Sequence, residues 1–506
     1  MKQNKIISLN KAKELSSDYK KAKNKIFLAH GVFDVLHVGH IKHFQEIKKN
    51  IGKLFVSITD DKHVKRGPGR PYFNSLQRAK MLSAISYVDY VIIDNHPSAT
   101  EVLNAIKPNI YFKGKDYVDT DDFTKNLEEE IRITKKFNGI VKFTTSQKFS
   151  SSNILNTKFE FLNNKTRNFL EKFSKKNNFN TIYKNIRKLN NLKILVIGEG
   201  IIDEYQYARS LNKTPKENLI SYLVQKNKKF LGGIFAVGNN ISSFSKKVSL
   251  LTICSSDKFF FNFLKENLNN LNNKFIIKSK YHKDIKKVRF IEDSYVTKKI
   301  FEYYEMNEKN IAASDEKKII NFLNSNIKKF DVVVLNDFGH NFFTKKIMEI
   351  IQSKSNYLAL NVQTNSQNTP FNLISKYKKA DFVCIDKPEA MLAAGKRDIS
   401  LEEIRKILLK KIKFKKICIT DGKNGAWYFK NNKFYNVPIF NTDVVDTLGT
   451  GDAFFSIASI YSFLEKDNEV VTFLGNVAGA MKVSIVGHSK KIEFVDYLKF
   501  VESLLK

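Results

Sequence analysis

Gly31-Val32-Phe33-Asp34-Val35-Leu36-His37-Val38-Gly39-His40 is the stretch on which the reading of the fold turns. It follows an apolar run, Ile26–Ala29. An apolar run, a glycine turn and two histidines at the start of a helical segment form an arrangement that handles phosphate. A strand delivers the chain to the turn, and the helix that follows offers unpaired N–H groups and a positive dipole end. His37 and His40 sit three apart, so both rings face the same way on a first helical turn. Gly39 between them lets a ligand approach the backbone. Two imidazoles on one face can donate hydrogen bonds to a phosphate under attack, which makes His37 and His40 the candidate catalytic residues. A random pair at this spacing is more often two surface histidines. The preceding strand and the Gly31/Asp34 context reverse that expectation.

Outward from this stretch, strand and helix signals alternate. Apolar runs at Leu54–Ile58, Tyr87–Ile93, Ile110–Phe112 and Ile140–Thr144 read as strands, and Ser75–Ile85 and Ala99–Ile106 as helices, with Ser75 as an N-cap. Met1–Asn24 reads as a short basic helix. The alternation predicts a parallel α/β sheet whose ligands bind beyond the strand C-termini. Lys65-Arg66-Gly67-Pro68-Gly69-Arg70-Pro71 is a cationic loop, and Lys65 and Arg70 are candidates to hold the acceptor phosphate or the leaving pyrophosphate. Lys113-Gly114-Lys115-Asp116-Tyr117 lies just past a strand end, and Ser150-Ser151-Ser152-Asn153 opens a helix as an anion site.

To about Asn156 these motifs resemble the HxGH nucleotidyltransferases, in the branch that activates sugar phosphates and small alcohol phosphates. The resemblance implies attack by a substrate phosphate oxygen on the α-phosphorus of a nucleoside triphosphate. It also implies that Gly31, Phe33, Lys113, Asp116, Ser150, Ser151 and Ser152 contact the nucleotide, with Mg²⁺ alongside. His30 stands where heptose-type enzymes often carry asparagine.

The second half opens on Lys193–Ile197, a strand leading to Gly198-Glu199-Gly200-Ile201-Ile202-Asp203. Phe230-Leu231-Gly232-Gly233 leads into a helix that carries Ala236 and Asn240. Lys287–Phe290 and Phe301–Met306 read as a strand pair, Val332–Asn336, Leu358–Val362, Phe382–Ile385 and Ile417–Ile419 as buried strands. Val445-Asp446-Thr447-Leu448-Gly449-Thr450-Gly451-Asp452-Ala453-Phe454 is the most specific motif of the chain. Gly449–Gly451 offers a run of N–H groups at a helix start, which cradles a transferring phosphoryl group. Asp452 there can take a proton from a hydroxyl.

From about Leu192 to the end these motifs resemble the ribokinase-like (PfkB) sugar kinases. The resemblance implies Asp203 as the ligand of sugar hydroxyls, with Gly232, Gly233, Asn240 and Arg289 around the substrate. It implies Asp452 as the base and Gly449, Thr450 and Gly451 as the phosphoryl cradle. Thr420, Gly422 and Asn476 would border the ATP, and Glu389 of Asp386-Lys387-Pro388-Glu389 would stand in the Mg²⁺ shell. Ala236 and Gln363-Thr364 depart from the family pattern. Bacterial heptose kinase/adenylyltransferases join the same two activities, usually with the kinase first. The expected layout is a nucleotidyltransferase domain at 1–156, a helical linker at 157–191 and a kinase domain at 192–506. Both domains are expected to be doubly wound α/β, the first Rossmann-like, the second ribokinase-like with a small β lid.

The net charge of +35 raises nucleic-acid binding as an alternative class. The lysines run along the whole length and no nucleic-acid module is visible, so small anionic substrates, sugar phosphate and nucleotide, are the expected partners. Apolar runs fall short of the ~18 residues of a membrane span. The polar start of the chain carries no signal core, and Cys254, Cys384 and Cys418 are too dispersed for a disulfide frame. A cytoplasmic enzyme is expected, using ATP and, for the nucleotidyl step, ATP or CTP. Ribokinase-like proteins often pair, which extends the expectation of a homodimer to this chain by analogy. The competing enzyme reading is a cytidylyltransferase for glycerol or alditol phosphate fused to a kinase acting on another carbohydrate.

Overall fold

The computed structural model describes residues 5–64, 67, 69–114, 126–144, 162–268, 271–292, 298–306, 308–441 and 444–506. The chain divides into two compact units, one of Met1–Ser174 with Leu498–Lys506, the other of Lys175–Tyr497.

In the first unit, β1 (Ile26–Gly31), β2 (Lys53–Thr59), β3 (Tyr90–Asp94), β4 (Ile110–Lys113) and β5 (Ile140–Phe143) form a sheet of order β3-β2-β1-β4-β5. Each neighbouring pair is parallel. Ile26, Phe27, Leu28 and Ala29 are fully buried because helices cover both faces. Phe27 and Ala29 pack with Phe44 and Ile47 of the helix Val38–Ile47. Ile26 and Leu28 point to the opposite layer, with Val102, Leu103 and Ile106. The strand order reverses direction between β1 and β4, and a crevice for ligand opens at such a point. The basic N-terminal helix runs Leu9–Lys21 and is capped by Ser8. The helix expected at Ser75 is capped one residue earlier. Asn74 accepts from Gln77 N at 2.9 Å and Gln77 returns its side-chain oxygen to Asn74 N at 3.1 Å, a capping box.

The second unit holds two sheets among its described residues. The larger runs β10-β9-β6-β13-β14-β15-β16-β17-β18. Its strands are β6 (Lys193–Gly198), β9 (Lys247–Ser255), β10 (Asn273–Ser279), β13 (Val332–Asp337), β14 (Leu358–Val362), β15 (Lys379–Asp386), β16 (Lys413–Thr420), β17 (Ala426–Lys430) and β18 (Lys433–Val437). It is parallel up to β16 and closes with two antiparallel pairings. The reversal of order falls between β6 and β13. The smaller sheet, β12-β11-β7-β8, is the β lid. It consists of β7 (Gly200–Lys213), β8 (Ile220–Gly233), β11 (Ile285–Glu292) and β12 (Lys298–Glu305). Asp203 therefore stands within a lid strand, β7, in register with Lys287 of β11.

At the join, the helices Asn164–Lys176 and Phe179–Lys188 carry the stacked pair Phe169/Phe173, with ring centroids 5.4 Å apart. Among the described residues no helix is long and apolar enough to cross a membrane. Lys65, Asp116, Ser150, Ser151, Ser152, Phe159 and Phe161 lie outside the described residues.

Candidate active sites

In the first unit His37 is the N-cap of the helix Val38–Ile47, and its Nδ1 accepts the Gly39 N–H at 3.1 Å. His40 Nδ1 in turn accepts the His37 N–H at 3.3 Å. With both Nδ1 atoms accepting, each neutral ring carries its proton on Nε2. The rings stack, centroids 3.9 Å apart and 20° between planes. Burial first, then the neighbouring His37 and His43, hold His40 down to about 3, so it is an uncharged donor at neutral pH.

The turn that sets this pair is strained. Phe33 and Val35 adopt φ of +51° and +48°, a region L-residues avoid. Phe33 is buried and packs edge-on to His40 at 5.4 Å. Asp34 ties the turn down by accepting the Tyr72 and Phe73 N–H groups at 2.7 and 3.1 Å. Arg78, fully buried, donates to the carbonyls of Val32, Thr59 and Phe73 and to Asp61. His30 at the end of β1 meets Ser57 Oγ at 2.7 Å. Burial and the Lys113 charge push it down to about 4. The Lys113 ammonium is itself buried against Glu130 at 2.7 Å, so its nearest anion is a structural carboxylate and not open solvent.

The second site gathers at the ends of β6 and β13. Gly449, with φ +72°, caps the helix Thr450–Leu464, and Asp452 lies in its first turn. The Asp452 carboxylate is buried, and its Oδ1 accepts from Gln363 Nε2 at 2.6 Å and Asn336 Nδ2 at 3.1 Å. Burial raises its pKa against these donors and against nearby His488, which strengthens it as a base. Gly451 is open: a Cβ there would meet nothing within 4 Å. Asp446 anchors the turn by accepting from Tyr205 Oη, Lys299 Nζ and the Gly487 and Leu448 N–H groups. Burial alone would raise Asp446; these bonds instead hold it down at about 2.

Asp203 accepts from Arg289 Nη1 at 2.6 Å, and Arg289 also pairs with Glu302 at 3.0 Å. Gly232 makes room for it, since a Cβ there would fall 2.0 Å from Asp203 Oδ2. Gly233 takes φ +57° where β8 passes into the helix Ile234–Ser242. Glu389 accepts the Thr364 and Asp386 N–H groups at 2.8 and 3.2 Å, and burial raises it to about 7 despite them. Among the described residues no three His, Cys, Asp or Glu side chains cluster as a metal cage. Mg²⁺ commonly takes one or two carboxylates and completes its shell with phosphates and water, so Glu389 fits as a single carboxylate.

Three expected ligands are committed to the framework. Asn240 Oδ1 accepts the Ile492 N–H at 3.1 Å. Asn476 donates to the carbonyls of Val437 and Pro438. Thr420 Oγ1 donates to Asp386. Gly422, beside it, has open space around it and φ +49°. Arg70 is part-buried, preceding a cis Pro71. Sequence reasoning missed Arg78, Asn336 and His488, and it marked Gln363 only as a departure. None stands in a local motif; each acts on a residue distant in sequence.

A family model described as pfkB family carbohydrate kinase matches residues 191–493, and a cytidylyltransferase-like model matches residues 28–161. The bifunctional protein HldE of Aliarcobacter butzleri is 35% identical over 124 residues, 24% of this chain and 26% of that protein. HldE of Campylobacter jejuni strain RM1221 is 36% identical over 122 residues, with the same shares. The chain thus aligns with about a quarter of the length of these curated relatives. Among solved structures, phosphofructokinase-2 from Escherichia coli in complex with potassium aligns with a TM-score of 0.50 at 11% identity, over 62% of this chain and 100% of that one. That likeness is one of fold: a ribokinase-like second unit follows a Rossmann-like, cytidylyltransferase-like first unit.

Proposed function

The chain belongs to the pfkB family of carbohydrate kinases, and from that premise we propose that it is a bifunctional enzyme of nucleotide-sugar synthesis. The second unit phosphorylates a sugar phosphate of the heptose 7-phosphate kind at the expense of ATP. The first unit joins the resulting sugar 1-phosphate to a nucleotidyl group, releasing pyrophosphate and an ADP-heptose-like product. The observation that carries this reading is the pairing, in one chain, of two stacked Nε2–H imidazoles with a buried carboxylate behind a glycine turn.

In the kinase step Asp203 accepts sugar hydroxyls, flanked by Gly232, Gly233 and Arg289. Asp452 takes the proton of the attacking hydroxyl, held in line by Gln363 and Asn336. The new O–P bond forms at the γ-phosphorus and ADP leaves. The N–H groups of Gly449, Thr450 and Gly451 receive the charge on the transferring group. Gly422, open to space, borders the nucleotide in this reading, and Thr420 supports that edge through its bond to Asp386. Glu389 would hold Mg²⁺, which would supply neutralisation of the phosphate oxygens when bound.

In the nucleotidyl step the sugar phosphate supplies its own nucleophile. One of its oxygens attacks the α-phosphorus, and pyrophosphate departs without any proton transfer by the protein. His37 and His40 donate from Nε2 to the oxygens that gain charge. Gly31 and Phe33 shape the nucleotide site, and Arg70 stands for the acceptor or the pyrophosphate. The cytidylyltransferase-like match leaves a second reading, CTP as donor with an alditol phosphate acceptor. The soluble partners are small anions in either case, and we propose a cytoplasmic homodimer.

The test is a panel of six- and seven-carbon sugar phosphates and glycerol phosphate with ATP and with CTP, read by mass spectrometry. Asp452→Asn is expected to cut phosphoryl transfer by about 10²–10⁴-fold while nucleotidyl transfer persists. His40→Ala is expected to do the reverse, by about 10²–10³-fold. Both activities surviving in both variants would refute the assignments.

A further inference from the structure

His488 stands where three glycine-bearing motifs of the second unit converge. Its Nε2 is 3.6 Å from Asp203 Oδ2, and its side chain is 7% exposed. The ring lies directly against Gly449, where a Cβ would come within 2.2 Å of His488 Cε1. A Cβ at Gly232 would meet Asp203 Oδ2 at 2.0 Å and His488 Cδ2 at 3.5 Å. The imidazole thus fills the space that both glycines leave, between Asp203 and the Gly449–Gly451 turn.

Arg289 holds Asp203 by its other oxygen, Oδ1, at 2.6 Å. One donor fixes one oxygen but leaves the carboxylate plane free to rotate about that contact. The His488 ring, packed against the second oxygen at 3.6 Å and beyond hydrogen-bond range, hinders that rotation by contact, and the plane sets where the remaining lone pairs point. The charged groups around the ring are Asp203, Asp452, Asp446 and Lys482, three carboxylates against one ammonium.

We propose that His488 is a positioning residue for the sugar acceptor: it sets the plane of the Asp203 carboxylate and closes the gap between Gly232 and Gly449. This rests on the kinase reading of the second unit.

The experiment compares the full chain with His488→Ala and His488→Gln. Glutamine keeps a planar polar group of similar reach to pack there. Steady-state kinetics use the best acceptor from a panel of six- and seven-carbon sugars and their terminal phosphates. Thermal unfolding of each variant reports on folding. The alanine variant should raise the acceptor KM by about tenfold or more, with kcat and the KM for ATP nearly unchanged. The glutamine variant should recover most of that loss. Equal impairment in both variants, or a joint fall of kcat, ATP affinity and thermal midpoint, would overturn the proposal. Calorimetric titration of the same panel needs no turnover. A wild type that binds an acceptor but never phosphorylates it sinks the kinase reading alone, and the alanine–glutamine contrast in affinity still decides the role of His488. A wild type that binds none of the panel overturns both.

Discussion

A proton's position decides what the first site can do. Both Nδ1 atoms of the His37/His40 pair are occupied by backbone N–H groups, so each neutral ring carries its donor on Nε2. His40 sits at about 3, well below the unfolded value near 6.5. Nucleotidyl transfer should therefore show no acid limb from this histidine between pH 8 and about pH 5. Any fall near pH 6 should track the second ionisation of the substrate phosphate and move when a phosphonate of different pKa replaces it. A limb that stays fixed across such substrates would mean that His40 titrates there. At the second site the decisive atom is a missing one. Gly232→Ala places a methyl 2.0 Å from Asp203 Oδ2, so the carboxylate must turn away and the acceptor KM should rise about tenfold or more. Gly238→Ala is the control: its Cβ would make ordinary contacts with Leu271 at 3.6 Å, and kinetics should not change. The histidine pair and Asp452 could be read from sequence because each motif is local. Gln363 was visible as a departure, but its grip on Asp452, eighty-nine residues away, was not.

Elements carry the site by a few long-range ties. Arg78 of the helix Ser75–Ser83 binds the end of β2 through Thr59, the turn after β1 through Val32, and its own N-terminal loop through Phe73. Replacing it with alanine leaves a hole at a fully buried position, removes the donor from three carbonyls and takes the ion-pair partner from the partly exposed Asp61 carboxylate. The expected loss is on the order of 3 kcal/mol. Arg78→Lys should recover little, because an ammonium cannot reproduce the planar fork. Urea unfolding followed by circular dichroism checks both, and a lysine variant as stable as wild type would refute the geometric account. Several strands of the larger sheets were legible because parallel strands buried on both faces read as continuous apolar runs, as at Val332–Asp337, but Lys247–Ser255, buried in the same way, was not expected, nor were β10, β17 and β18. The lid was legible only in part. β11 and β12 were expected, but β7 and β8 were not, since their outer residues are polar and exposed from about Lys226 to Lys229. They pair as a long antiparallel hairpin, from Lys213 and Ile220 near its turn to Asp203 and Phe230 and on to Gly200 and Gly233. Asn240 and Asn476 look like site residues in the sequence because nothing local tells an asparagine that ties two elements from one that meets a ligand.

At the scale of the whole molecule the two units should answer acid differently. The first buries His30, His40 and His43 at about 4, 3 and 4. A lowered histidine pKa means that the unfolded chain binds the proton first. Stability is then lost as pH falls below about 6.5, by up to ~1.4 kcal/mol per pH unit for each group, until the folded value is reached. The second unit contains His282, His340 and His488, lowered in the same sense. It also contains Glu199 and Glu389, both raised to about 7. A raised carboxylate works in the opposite direction: between about 4.5 and 7 the folded state holds the extra proton, so these two groups add stability as pH falls through that window. The offset exists in the second unit, whereas the first has no glutamate raised to such a value among its described residues. Trp427, the single tryptophan of the chain, belongs to the second unit and reports on it alone. Between pH 7.5 and pH 5, the urea midpoint read by Trp427 fluorescence should move little, while far-UV circular dichroism, which sees both units, should develop an earlier transition. Coincident fluorescence and dichroism curves at pH 5 would show that the buried histidines of the first unit do not control its acid stability.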